Sequence, residues 1–314
     1  MPHREELVRE LSIVVPIVTP CTRAGDPDLD GLKALCQDML DAGCSGLFVA
    51  GSSGRGPWFS RHDRVRICRA VADQIGASVP LLAGCMASGL PQMLENAHAM
   101  ADAGAQMAVV TVPGYFNYSQ QEIEIIFSEF ADSSPLPVVV YDIPDLTRTK
   151  LDVDLLLRLA YHDNVVGCKD STADYAHFEE LLAGLSDSPD FCLLQGKERY
   201  LVDSLVAGAS GFVVSMVQID PRPFVRLSQA VRADKMALAQ RLQNQITKIM
   251  DVFEGSFARR PETSTFFHLL NWTLRNRGAC DNILLEHDGD CPSWLADNAR
   301  EVVEICEAAA TFQE

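Results

Sequence analysis

Basic residues are scarce in this chain: 26 lysines and arginines stand against 43 aspartates and glutamates, a formal net charge of −17 over 314 residues. That balance argues against a nucleic-acid partner, because phosphate binding needs a basic face. Small anionic substrates stay open, since a few local arginines outweigh a global charge. No apolar stretch near the N-terminus can span a bilayer; Leu11 to Val18 is short and interrupted by Pro16. The opening MPHREELVRE is charged and lacks the apolar centre of a secretory signal, so no membrane partner is expected. The ten cysteines form no CxxC pair. Cys36, Cys68, Cys192 and Cys306 fall inside apolar patterns, where a thiol behaves as a small hydrophobe. Reduced core cysteines in the cytoplasm are expected, rather than a disulfide framework or a zinc site. HExxH, P-loop and GxGxxG motifs are missing, and neither a metal nor an organic cofactor is expected.

What the chain does contain is periodic. Eight short apolar runs recur through the first 220 residues: 12–18, 45–51, 79–85, 105–112, 136–141, 164–169, 191–196 and 210–215. Seven helix-like segments separate them, most clearly Leu29 to Ala42, Arg61 to Gln74, Pro91 to Ala103 and Tyr175 to Leu185. Strands that alternate with helices form a parallel sheet, and eight is the number at which such a sheet closes. A weak repeat agrees: Asp41-Ala42-Gly43, Asp102-Ala103-Gly104 and Val206-Ala207-Gly208 each place glycine where a helix must end. Segments 222–254, 263–277 and 293–311 read as helices only, with Pro221, Pro261 and Pro292 near their starts. The reading is an α/β chain: a (β/α)8 TIM barrel over 1–221, then the last barrel helix and a C-terminal helical extension over 222–314.

In such barrels the active groups come from the C-terminal ends of strands and the loops beyond them. Of the chain's six lysines, Lys169 alone ends an apolar strand, NVVGCK. An amine in a partly desolvated site loses part of its preference for the charged form. A neutral amine can attack a ketone and dehydrate to an imine, an electron sink. A lysine snorkelling from the strand end or pairing with Asp170 is the alternative. Tyr141 ends the preceding strand, where a phenol can shuttle protons or simply cap the core. The turn Gly51-Ser52-Ser53-Gly54 follows the second strand, and its N–H and hydroxyl donors can hold a carboxylate. Many βα loops look like it.

Together these features resemble the dihydrodipicolinate synthase / N-acetylneuraminate lyase family of class I pyruvate aldolases. The resemblance runs from VVPIVTP near residue 14 through the helical extension. The family's GTTGE-like turn corresponds to Gly51-Ser52-Ser53-Gly54-Arg55, its YN(I/V)P strand to Tyr141-Asp142-Ile143-Pro144, and its G(I/V)KD(S/T) strand to Gly167-Cys168-Lys169-Asp170-Ser171. The resemblance implies imine formation at Lys169, proton transfer through Tyr141, and a substrate pocket that draws on Ser52, Ser53, Gly54 and Val213. It also implies a homotetramer or homodimer, because the loop VPGYFNYSQ, similar to the family's PPYYNKPSQ, usually crosses between subunits.

Several positions depart from the pattern. Arg55 stands in place of glutamate, Phe116 in place of the second tyrosine of the synthases' proton relay, and Asp142 in place of asparagine. Leu146 occupies the position of the synthase arginine, with Arg148 two residues later. Arg55, Arg148 and Phe116 therefore become candidates for binding the substrate tail, with surface arginines as the plainer alternative. Arg259 and Arg260 read as a solvated loop, and Trp58 as a packing or interface residue. The expected activity is that of a Schiff-base-forming lyase or aldolase acting on pyruvate or a related 2-oxo acid and an aldehyde, or one that dehydrates a sugar acid. A true dihydrodipicolinate synthase and a non-catalytic 2-oxo acid binding protein are the rivals.

Overall fold

Each of the eight apolar runs delivers one strand in a computed structural model that describes residues 11–310 apart from 187 and 189. The charged opening segment and residue 311 lie outside the described residues. The strands are β1 (Ile13–Pro16), β2 (Gly46–Val49), β3 (Leu81–Gly84), β4 (Met107–Val110), β5 (Val138–Asp142), β6 (Val165–Asp170), β7 (Cys192–Gln195) and β8 (Gly211–Val213). They pair in parallel in chain order, and β8 returns to β1 through Ile13↔Phe212 and Val14↔Val213. This is a closed TIM barrel.

Strand side chains alternate between faces, so each run feeds two cores. Val14, Phe48, Leu82, Met107, Val109, Val139, Tyr141, Leu194 and Val213 fill the barrel interior. The opposite faces pack under the helices α1 (Leu29–Asp41), α2 (Arg61–Ile75), α3 (Leu90–Asp102), α4 (Gln120–Ser133), α6 (Val153–Ala160), α7 (Tyr175–Gly184) and α8 (Leu201–Ala207), while the short α5 (Pro144–Thr147) buries no residue. The repeated glycines end helices as expected: Gly43, Gly104 and Gly208 have φ of 95°, 99° and 107°.

The helical pattern over 222–254 resolves into two helices in the structure. Helix α9 (Pro221–Arg232) closes the barrel layer, and α10 (Met236–Arg259) opens the extension. Between them Asp234 takes the left-handed conformation, φ 57°, which a helical repeat count cannot register. The extension continues as α11 (Thr263–Asn276) and α12 (Ser293–Ala310). Arg259 belongs to the last turn of α10 rather than a loop, with its guanidinium 4.2 Å from the Trp294 ring centroid. Trp58 stacks on His287 at 4.1 Å. Among the described residues no helix is long and apolar enough to cross a membrane.

Two buried carboxylates pin the extension to the barrel. Asp220 caps α9 and accepts from Arg222 at 2.8 Å and from Arg277, just past α11, at 3.2 Å. Asp288 holds Arg55 at 2.7 Å and also accepts the Leu285 N–H at 2.8 Å. The Arg55 guanidinium lies 3.5 Å from the Phe267 ring centroid and is largely buried. Truncating one partner of a buried pair leaves the other charge uncompensated, a loss of roughly 3–5 kcal/mol. Arg55→Ala and Asp288→Ala should therefore each lower stability to urea by that order. The double variant should lose less than the sum, with a coupling of about 1–3 kcal/mol. Strict additivity in the cycle would show that the pair contributes nothing to the joint.

Candidate active site

The inward faces of β5 and β6 bring the two leading candidates together. Tyr141 and Lys169 are register partners one residue from the ends of their strands, and both are buried. The Lys169 Nζ lies 4.0 Å from the Tyr141 ring centroid and 5.8 Å from that of Phe48. Phe48 meets Tyr141 edge-on at 6.5 Å. The amine therefore stands on an aromatic floor at the barrel mouth, attracted by ring faces. Among the described residues it has no carboxylate within ion-pair distance. Asp170, considered from the sequence as a partner, points the other way and accepts the Thr172 N–H at 2.8 Å.

The turn after β2 is held from several sides. Ala50 takes φ 53°, and its carbonyl fits only because Gly56 and Gly84 lack a Cβ that would collide with it. The Thr19 hydroxyl donates to the Gly54 carbonyl at 2.8 Å, and the Arg55 N–H to the Ser52 carbonyl at 3.1 Å. Ser53 Oγ is 2.7 Å from Ser215 Oγ, which ties this turn to the end of β8. Ser53 is buried and Ser52 half-buried. Val213 lies in the packed interior with Phe48 and Tyr141.

The remaining candidates are placed differently. The Arg55 side chain is committed to Asp288 and Phe267 at the joint with the extension. Arg148 caps α5 in the left-handed conformation, φ 61°; its side chain is exposed and has no ion-pair partner among the described residues. Phe116 is 63% exposed and touches the Tyr115 ring at 4.8 Å.

Two residues that the sequence reading passed over belong to the same mouth. Glu198, just beyond β7, is buried; it accepts the Met216 N–H at 3.2 Å. Burial raises its pKa, against the smaller opposing pull of the hydrogen bonds it accepts and the charges of Lys197 and Lys169. Ser215 stands two residues past the end of β8. Both sit where the strand-end rule would have marked them. On the outer face of the same strand ends, burial first and Asp170 second push the Asp142 carboxyl up to about 7. Among the described residues no group of three or more His, Cys, Asp or Glu is arranged to hold a metal ion.

Known proteins match this arrangement across most of the chain. The profile described as the dihydrodipicolinate synthetase family matches residues 10–280. The 4-hydroxy-tetrahydrodipicolinate synthase of Corynebacterium jeikeium is 32% identical over 235 residues, 75% of this chain and 77% of the relative. The putative 2-dehydro-3-deoxy-D-gluconate aldolase YagE of Escherichia coli is 30% identical over 244 residues, 77% of this chain and 81% of the relative. The structure of YagE in complex with pyruvate superimposes with a TM-score of 0.86 at 25% identity, covering 95% of this chain and 98% of that one. Fold, length of match and identity agree: the chain belongs to the dihydrodipicolinate synthetase family and is an enzyme of its class I, pyruvate-dependent aldolase type.

Proposed function

We propose that Lys169 is the amine that forms a Schiff base with pyruvate or a related 2-oxo acid, and that the chain is an aldolase or lyase for sugar-derived 2-oxo acids. One observation carries this reading: a buried lysine against the Tyr141 ring at 4.0 Å, with no carboxylate within ion-pair distance among the described residues. The neutral amine adds to the 2-oxo carbon, and loss of water gives the imine. Once the imine is protonated, the C4 hydroxyl gives up its proton through Tyr141, the C3–C4 bond breaks, and the imine accepts the electron pair, leaving an enamine and an aldehyde. Protonation at C3 and hydrolysis return the lysine and the oxo acid. Tyr141 relays protons to and from the carbinolamine oxygen, and the Ser52–Ser53 turn holds the substrate carboxylate.

The choice of sugar-derived acids rests on three supports. YagE is named as a putative 2-dehydro-3-deoxy-D-gluconate aldolase and binds pyruvate. Phe116 has no hydroxyl for the synthases' relay, and Leu146, 60% exposed, replaces their arginine. Arg148 is the free cation nearest in sequence to the lost one and is proposed to meet the substrate tail. The second reading is 4-hydroxy-tetrahydrodipicolinate synthesis, favoured by the name of the Corynebacterium relative. Condensation of pyruvate with aspartate semialdehyde, run beside cleavage of 2-dehydro-3-deoxy-gluconate, separates the two.

Tyr115 and Phe116 leave 77% and 63% of their surface to solvent, a pair of rings suited to a second copy of the chain. A homodimer or homotetramer is proposed on that ground. The ten free thiols, nine of them buried, suit a reducing, cytoplasmic setting.

Borohydride should trap pyruvate on Lys169, identified by peptide mass. Lys169→Ala should show no adduct while keeping its cooperative unfolding transition; an undiminished adduct in that variant would overturn the assignment. Tyr141→Phe should slow turnover by about 10²–10⁴-fold, the range of a lost acid–base group, as read in single-turnover kinetics. Phe116→Glu should shift sedimentation toward the monomer, whereas an unchanged profile would remove this ring from the interface.

A further inference from the structure

One residue beyond the reacting pair, the same two strands carry a second register pair on their outer face, Asp142↔Asp170. These carboxyls close a buried ring of bonds with Leu151 and His177. Asp142 Oδ2 accepts the Leu151 N–H at 3.2 Å. The Leu151 carbonyl lies 3.0 Å from His177 Nε2, and His177 Nδ1 lies 3.1 Å from Asp170 Oδ2. A carbonyl only accepts, so Nε2 carries a proton, and Nδ1 shares a second one with Asp170. Asp142 Oδ1 is buried and has no hydrogen-bond partner among the described residues.

The charges facing Asp142 are few. Asp170 and the Cys168 thiol approach from β6, His177 from α7, and Lys150 from the α5–α6 loop. Lys150 is itself engaged by Asp174, the residue that caps α7, at 2.7 Å. Burial works against charge on His177, but the bond and charge of Asp170 together outweigh it, so its pKa is raised. The ring thus already pairs the Asp170 carboxyl with the His177 imidazole through a shared hydrogen bond. A second carboxylate would have a bare oxygen in an apolar setting beside a like charge.

We propose that Asp142 is a positioning residue whose protonated, neutral carboxyl keeps the ends of β5 and β6 in register, and that its ionisation beside Asp170 disturbs the Tyr141–Lys169 pairing and shuts the reaction down on the alkaline side. The repulsion acts on the two strand ends that hold the reacting side chains, one residue away in each. A main-chain bond from the Ser171 N–H to the Asp142 carbonyl, 2.8 Å long, is the contact most directly strained. The inference rests on Lys169 and Tyr141 being the reacting pair.

The sign is fixed by the direction of the shift. A carboxyl whose pKa is raised on folding favours the folded state below its unfolded value, and that advantage disappears as pH rises through about 7. Asp142→Asn, neutral at every pH, removes the dependence. The ratio of variant to wild-type kcat/KM should rise about thirty-fold between pH 6 and 8.5, the span of one group ionising near 7. The melting temperature of wild type should fall relative to the variant over pH 5 to 8. Asp170→Asn, which removes the other charge, should flatten the wild-type break as well, and serves if Asp142→Asn does not fold. Infrared difference spectra should show a buried protonated carboxyl disappear between pH 6 and 8.5 in the wild type, a signal that is missing from Asp142→Asn and kept in Glu198→Gln. Parallel profiles in the presence of a normal pyruvate adduct would overturn this inference alone. No adduct in wild type at any pH would overturn the reaction assignment, and this inference with it.

Discussion

Because strand side chains alternate, the direction in which Lys169 points is decided by how β6 is registered against β5. Val138 pairs with Val165, but Val139 pairs with Gly167, so Val166 is one residue extra in β6. That bulge moves every later residue of β6 by one position. Without it Tyr141 would face Cys168, and Lys169 would point into the helix layer with Asp170 at the mouth. Gly167 makes the shift feasible, since a Cβ there would sit 2.5 Å from the Cys192 carbonyl oxygen on β7. The Tyr141–Lys169 pairing, the aromatic floor beneath it and the acidic ring behind it all follow from this local irregularity.

The C-terminal helices support the same mouth from outside. Arg55 leaves the turn after β2 and runs into the extension, where Asp288 and Phe267 hold it. Its anchoring helps fix the end of a turn whose other contacts reach β1 through Thr19 and β8 through Ser215. If this turn holds the substrate carboxylate as proposed, its N–H and hydroxyl groups are oriented before substrate arrives, and that lowers the ordering cost of binding.

Much of this was legible in the chain. Eight apolar runs with helix-ending glycines at Gly43, Gly104 and Gly208 specify a closed parallel barrel, because each feature is local. Lys169 and Tyr141 stand out by the strand-end rule alone. Other features were hidden because they are not local. The partner of Arg55 lies 233 residues away, so a side chain that reads as a substrate contact is found in a structural joint. The break at Asp234 depends on a single left-handed residue. The pairing of Asp142 with Asp170 needs the β6 bulge, which the smooth apolar pattern of NVVGCK does not announce. Glu198 and Ser215 were within reach, since they too follow strands.

The Ala50 carbonyl, lodged against Gly56 in its own turn and Gly84 at the end of β3, also bears on how this scaffold can be altered. The βα loops of such barrels are commonly regarded as interchangeable parts on a fixed frame. Here one oxygen atom is shared between a loop and the neighbouring strand. The β2 turn cannot be exchanged or evolve on its own. It has to travel with the glycine of β3, so that two segments distant in sequence form one unit of inheritance.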